Sequence, residues 1–291
     1  MTSSTQLPMI SIVTPSLNQA SFLREALESV QSQQSPNYEH LVFDGGSHDA
    51  TLDLLRSAAL ADGSGRLVWR SGLDGGQSEA LNKGFAQASG SIIGWLNADD
   101  RYRTGCFGHV AKMFAEHPEI DVVYGDYTLI DEAGGHLTLR REIEFSKFIL
   151  RYHRVLYIPT TATFFRRRVF DEGNFLSNSL HYAMDLDFFL RLSDAGYTFR
   201  HLPKVLADFR LHSSSKSVQF TDRQKSEHRS IVLEKAPLVR CFRSMWAKSA
   251  AASLLQIPAG ALRYSEKLLR GCYWSNDPLN TQPYSDKEDR P

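Results

Sequence analysis

Four short segments concentrate the polar chemistry of this sequence: Pro15-Ser16-Leu17-Asn18, Asp44-Gly45-Gly46-Ser47, Gly72-Leu73-Asp74-Gly75-Gly76 and Asn97-Ala98-Asp99-Asp100. Three of the four carry aspartate, and two carry paired glycines. Carboxylates gathered in one cleft repel one another unless a cation lies among them. Ligands that are all oxygen select Mg²⁺ or Mn²⁺, and an ion with few protein ligands completes its shell with phosphate oxygens. For Asp99 and Asp100 alone, capping of the following helix is an equally good reading. Competing chemistries lack their motifs. No GxGxxG follows the first strand, no GxxxxGK[ST] occurs, and the ten histidines contain no HExxH.

The elements that must position these segments are legible from periodicity. Each segment follows a β-rich run, at residues 9–14, 39–43, 66–70 and 91–96. Between them lie three helical patterns. One carries Leu23, Ala26, Leu27 and Val30, with Ser21 as its cap. The second is capped by Asp49 and runs through Leu55. The third is marked by Leu81, Gly84, Phe85 and Ala88. Alternating strand and helix implies an α/β fold whose parallel sheet has helices on both faces, with ligands at the carboxyl ends of the strands. After about residue 120 the pattern changes. Residues 121–130 and 136–140 flank a turn at 132–135 and read as a hairpin. A strand at 161–165, a helix at 185–192 and a strand at 200–209 follow.

Composition narrows the function classes. Thirty-three basic and 33 acidic residues cancel, which argues against a nucleic-acid grip by overall charge. The three cysteines are far apart and form no CxxC, which suits a reducing cytoplasm. The N-terminus does not read as a signal peptide. The uncharged, apolar-rich stretch at residues 249–262 has 14 residues and is too short to span a bilayer. Residues 223–275 stand apart, with ten basic and three acidic side chains for a net +7. Phe242, Trp246, Ala250, Leu254 and Ile257 form an apolar stripe there. That stripe suits either a helix packed on the domain or one lying on an anionic membrane.

The ordered motifs Ser11-Ile12-Val13-Thr14-Pro15-Ser16-Leu17-Asn18, Asp44 to Thr51, Ala80-Leu81-Asn82-Lys83-Gly84 and Gly94-Trp95-Leu96-Asn97-Ala98-Asp99-Asp100 resemble the family-two glycosyltransferases of GT-A fold. Tyr182 to Leu192 and Phe209-Arg210-Leu211-His212 resemble the acceptor half of that family. The resemblance implies a mixed central sheet flanked by helices, with a C-terminal helical tail. It implies a domain at 9–217, split into a donor half (9–120) and an acceptor half (121–217), then a basic helical extension at 218–275 and a polar tail at 276–291. The implied activity is inverting transfer of a sugar from a nucleoside diphosphate to an acceptor hydroxyl, in cell-surface polysaccharide or glycolipid assembly.

The resemblance also assigns roles. Asp44 accepts from an N–H of the donor's base. The nucleotide-sugar site takes in Thr14, Pro15, Ser16, Asn18, Asp44, Gly45, Asp74, Gln77, Asn97 and Asp99. Asp99 and His212 hold Mg²⁺ or Mn²⁺, with Asp100 the weaker candidate, and Asp185 is the catalytic base. The partners implied are a nucleoside-diphosphate sugar and a saccharide or lipid-linked acceptor, met in the cytoplasm or at the inner face of the membrane. Two departures stand out. Asn97 replaces the first Asp of the D-x-D motif, and Met184 replaces the acidic residue that precedes the base.

Helical spacing independently favours Asp185 over Asp187. Asp185, Phe188, Phe189 and Leu192 share one face, which must pack inward, while Asp187 lies off it and suits an exposed pair with Arg191. The rival readings are a retaining transferase or a nucleotidyltransferase on the same fold, and a catalytically idle partner of a polysaccharide-assembly complex.

Overall fold

The computed structural model describes residues 8–273 apart from 36, 154, 216–218 and 220. The predicted polar tail at 276–291 lies outside the described residues. The chain runs β1 (Ile10–Ser16), α1 (Leu23–Gln31), β2 (Tyr38–Asp44), α2 (Thr51–Asp62), β3 (Leu67–Ser71), α3 (Gln77–Gln87), β4 (Ile92–Trp95), β5 (Arg101–Tyr102) and α4 (Cys106–Glu116). Then come β6 (Val122–Ile130), β7 (His136–Arg140), α5 (Lys147–Tyr152), β8 (Thr163–Arg166), α6 (Arg168–Asp171), α7 (Met184–Asp194) and β9 (Phe199–Arg210). Three further helices follow: α8 (Thr221–Lys235), α9 (Pro237–Arg240) and α10 (Met245–Leu269).

The strands form one mixed nine-stranded sheet in the order β3-β2-β1-β4-β8-β6-β9-β5, with β7 paired to β6. Strands β3, β2, β1 and β4 are mutually parallel. Strand β8 runs antiparallel to both β4 and β6. Successive residues of β1 face opposite sides of the sheet. Ile10 and Ile12 enter a core with α1 and α4, while Val13 enters a second core with α3 and α7. Gly84 lets α3 lie close on β1, because a Cβ there would sit 2.2 Å from Val13 Cγ1. The chain leaves β1 outward to β2 and β3, then returns to β4 on the other side of β1. The crevice created by that reversal opens at the carboxyl ends of β1 and β4.

Several details differ from the sequence expectation. Ser21 does not cap α1, which begins at Leu23 with no side-chain cap. Neither Asp99 nor Asp100 caps a helix, since a short strand follows and α4 begins only at Cys106. Asp49 does serve α2, accepting from the Thr51 N–H at 3.0 Å.

Candidate active site

A cleft of about 500 Å³ lies at that crevice, within the usual range for small-molecule sites. Of the residues singled out in the sequence, Pro15, Ser16, Asp74, Gln77, Asn97, Asp99, Asp185 and His212 line it. Thr14, Asn18, Asp44, Gly45 and Asp100 are not on its wall.

The second group builds the loops beneath the cleft. Asp44 is buried, and its carboxylate accepts from the Gly46 and Ser47 N–H groups at 3.0 and 2.9 Å and from the Ser71 and Ser47 hydroxyls at 2.7 and 2.5 Å. Thr14 Oγ1 is 2.9 Å from His40 Nε2, whose pKa burial pushes down to about 3, so His40 is neutral. Asn18 takes a left-handed backbone (φ 53°) and ties two loops together. Its N–H donates to Ser47 Oγ at 2.7 Å and its Oδ1 accepts from His48 N–H at 2.9 Å. Gly45 lies close against Asp74, where a Cβ would sit 3.2 Å from a carboxylate oxygen.

Asn97 is locked by three partners. Its Oδ1 accepts from Trp95 Nε1 at 2.9 Å and Gln77 Nε2 at 3.0 Å, and its Nδ2 donates to Asp100 Oδ2 at 3.1 Å. An aspartate at 97 would set a second carboxylate against Asp100. The amide therefore fits this position for a local reason. Asp100 is fully buried, and its other oxygen accepts from the Arg210 N–H at 3.0 Å. Burial, and then the neighbouring Asp99 charge, push its pKa well above the usual carboxylate range. Both oxygens of Asp100 thus hold the end of β9 and Asn97 in place.

Asp99 instead turns toward the cleft. Its Oδ2 lies 3.0 Å from His212 Nε2, and Ser214 Oγ is 2.9 Å from the other imidazole nitrogen. Among the described residues no three His, Cys, Asp or Glu side chains gather as a metal-binding group. One carboxylate and one imidazole converge here, a donor set that fits a divalent ion whose remaining ligands come from a diphosphate.

Asp185 enters the same cleft from the opposite half of the chain, on the first turn of α7. It is half-buried, and it accepts the Leu186 N–H at 2.8 Å. Burial raises its pKa, opposed by His228 and assisted by Glu227. The expectation that Asp187 is exposed is corrected. Asp187 is buried, pairing with Arg191 at 2.8 Å and also with Lys235 from α8.

Four contributors escaped sequence reasoning. Gln19 lines the cleft, and its Oε1, like Ser16 Oγ, is buried without a hydrogen-bond partner among the described residues. Arg210 is fully buried, donating to the Asp99 carbonyl at 2.9 Å and pairing with Glu25 at 2.7 Å. It braces the Asp99 loop from behind. Its place two residues before His212 was the available signal. Glu227 and His228 come from α8, for which the motifs gave no sign.

Comparison with known proteins accords with this geometry. A family model described as glycosyl transferase family 2 matches residues 11–173. A PGL/p-HBAD biosynthesis glycosyltransferase of Mycobacterium bovis BCG is 33% identical over 209 residues, 69% of this chain and 77% of that protein. The O-antigen biosynthesis protein RfbC of Myxococcus xanthus is 32% identical over 213 residues, covering 72% of this chain and 16% of that one. Two solved structures share the fold. TarS residues 1–349 of S. aureus, in complex with UDP-GlcNAc, aligns with a TM-score of 0.65 at 15% identity, covering 93% of this chain and 78% of that one. The mannosyltransferase PcManGT of Pyrobaculum calidifontis, in complex with GDP-Man and Mn²⁺, aligns at 0.63 and 17% identity, covering 95% and 79%. The chain belongs to glycosyl transferase family 2 and is a glycosyltransferase of GT-A fold.

Proposed function

We propose that the chain is an inverting glycosyltransferase that moves a sugar from a nucleoside diphosphate to an acceptor hydroxyl. The observation that carries this reading is the meeting of Asp185 with the Asp99–His212 pair in one cleft, from opposite halves of the chain. The donor sits over the carboxyl ends of β1 and β4, with Ser16, Asp74, Gln77 and Asn97 around it. The two unsatisfied acceptors, Ser16 Oγ and Gln19 Oε1, are available to its polar groups.

Asp185 removes the proton from the acceptor hydroxyl. The freed oxygen pair bonds to the anomeric carbon, and the bond from that carbon to the diphosphate oxygen breaks with its electrons. Attack opposite the leaving group inverts the anomeric centre. The raised pKa of Asp185 suits a base working near neutral pH. Asp99 and His212 would hold Mg²⁺ or Mn²⁺, which when bound supplies positive charge to the leaving diphosphate. The test is the configuration of the product, read by NMR of its anomeric proton with an accepted donor. The reading requires a configuration opposite to the donor's, and a retained one would overturn it.

The PGL/p-HBAD and O-antigen biosynthesis names of the relatives support a lipid-linked or saccharide acceptor. No helix among the described residues is long and apolar enough to cross a membrane. Helix α10 and the segment before it nevertheless suit attachment. Trp246, Leu254 and Ile257 are 81%, 68% and 70% exposed, as the membrane reading of the stripe requires. Phe242 precedes the helix, and Ala250 is half-buried. The basic excess is narrower than its count. Arg263 and Lys267 are held by Glu142, Arg270 by Glu144 and Glu266, and Lys235 by Asp187. Arg240, Arg243 and Lys248 form no ion pair among the described residues and are interleaved with exposed Leu238, Met245 and Trp246. That combination suits anionic lipid.

A further inference from the structure

We propose that α8 belongs to the catalytic apparatus. Glu227 is a positioning residue that fixes the turn carrying Asp185, and the buried His228 follows it on the same helix. The inference rests on Asp185 being the base. The Glu227 carboxylate accepts from three successive backbone groups at the entry to α7: the N–H of His181 at 3.3 Å, of Tyr182 at 2.8 Å and of Ala183 at 2.8 Å. Asp185 follows two residues later. Ala183, the residue that caps α7, makes no side-chain cap, and the carboxylate that accepts the N–H groups leading into the helix comes from α8. Met184 occupies the place where the resemblance leads one to expect an acidic neighbour; it lines the cleft and its Sδ accepts from Ser78 Oγ at 2.7 Å. A carboxylate from another helix thus stands near the base where the local sequence supplies none.

Helix α8 holds α7 at a second point through the Lys235–Asp187 ion pair, which fixes its register on α7. In that register Gln224 lines the cleft, Glu227 meets the turn, and the buried His228 acts electrostatically on Asp185. The two neighbours act in opposite senses. A protonated His228 favours the ionised base, and Glu227 disfavours it. The other titratable groups on the cleft wall are His181 and Tyr182 before α7, Asp74, Tyr127 of β6, and Asp99 with His212 across the cleft; Arg223 of α8 reaches the Tyr182 hydroxyl at 3.2 Å.

A clamp that only stabilises the fold would lower the rate equally at all pH values. A group that sets the base would displace the acidic limb of the rate profile, because transfer needs Asp185 ionised. The experiment measures kcat against pH for E227A, E227Q and H228Q in the full chain, with donor affinity by calorimetry and folding by circular dichroism. We expect E227A to lose about 10- to 100-fold in kcat, as a displaced reacting group does, with donor affinity unchanged. We expect H228Q to move the acidic limb to higher pH and E227Q to move it to lower pH. Should E227A fail to fold, the opposed shifts of the two glutamine variants carry the test. Coincident limbs in folded E227Q and H228Q would overturn the proposal while leaving Asp185 as base. A limb that persists in D185N would overturn the proposal together with the Asp185 reading, so the two failures are distinguishable.

Discussion

Asp44 and Asp185 are both carboxylates at the ends of elements that open on the cleft, yet they are built differently. Asp44 accepts four hydrogen bonds, from Gly46 and Ser47 of the loop that follows it and from Ser71 at the end of β3, and is not on the cleft wall. Asp185 accepts one backbone N–H and faces the cleft, with its pKa raised by burial. A carboxylate whose lone pairs are met by fixed donors organises backbone, and one with spare capacity in a partly dry site is available for proton transfer. The same contrast separates Asp100 from Asp99, Asn97 from Ser16, and the paired cations Arg263 and Lys267 from the unpaired Arg240, Arg243 and Lys248.

Large effects are expected where a cleft-facing group is removed. D99A should lower transfer by roughly 10²–10³-fold, as loss of charge stabilisation at a reacting centre does, and calorimetry should show that Mn²⁺ no longer strengthens donor binding. Unchanged Mn²⁺-dependent affinity would remove Asp99 from the site. The unpaired cations come next. R240Q/R243Q/K248Q should weaken binding to phosphatidylglycerol vesicles by about 3 kcal/mol, near 1 kcal/mol per charge, and salt should weaken the unaltered protein similarly. Cosedimentation of the triple variant equal to that of the parent would place the attachment elsewhere.

A smaller effect tests a satisfied group. N97D sets two carboxylates face to face and should cost about 1–3 kcal/mol of stability, read by thermal denaturation. Adding D100N should recover most of it. The amide then placed at position 100 can donate to the carboxylate introduced at position 97, while its carbonyl oxygen still accepts the Arg210 N–H. A single variant as stable as the parent would show that the Asn97–Asp100 contact does not fix this loop. The smallest effect tests an unsatisfied group. S16A should leave the melting temperature unchanged, since its hydroxyl has no partner to lose, and should weaken donor binding by about 0.5–1.5 kcal/mol. A lower melting temperature with unchanged donor affinity would put Ser16 among the scaffold residues.

The parallel half of the sheet was legible because its strands are rich in β-branched and apolar residues and the helices between them keep an apolar face. The hairpin of β6 and β7 was legible from Glu132-Ala133-Gly134-Gly135, whose Gly134 adopts φ 86°. Strand β5 and helix α4 were not, since a two-residue strand carries no periodicity and α4 starts from Gly105 without a side-chain cap. Motifs located the cleft but did not sort its residues. Thr14, Asn18 and Asp44 stand out in sequence as strongly as Ser16 or Asp99, and only the tertiary structure shows which of them line the cleft. Asp187 misled because an i, i+4 pair with Arg191 reads as surface, while Lys235, 48 residues away, buries it. The role of α8 depends on that long-range packing, which no local spacing encodes.

The most direct test of the central claim is acceptor-dependent transfer by D185N, measured with donor affinity on the same preparation. Asparagine keeps the size and the Leu186 contact but cannot take a proton. The account predicts a fall of about 10²–10⁴-fold in kcat, unchanged donor affinity and loss of the acidic limb. A folded D185N that transfers sugar at close to the parent rate would contradict it.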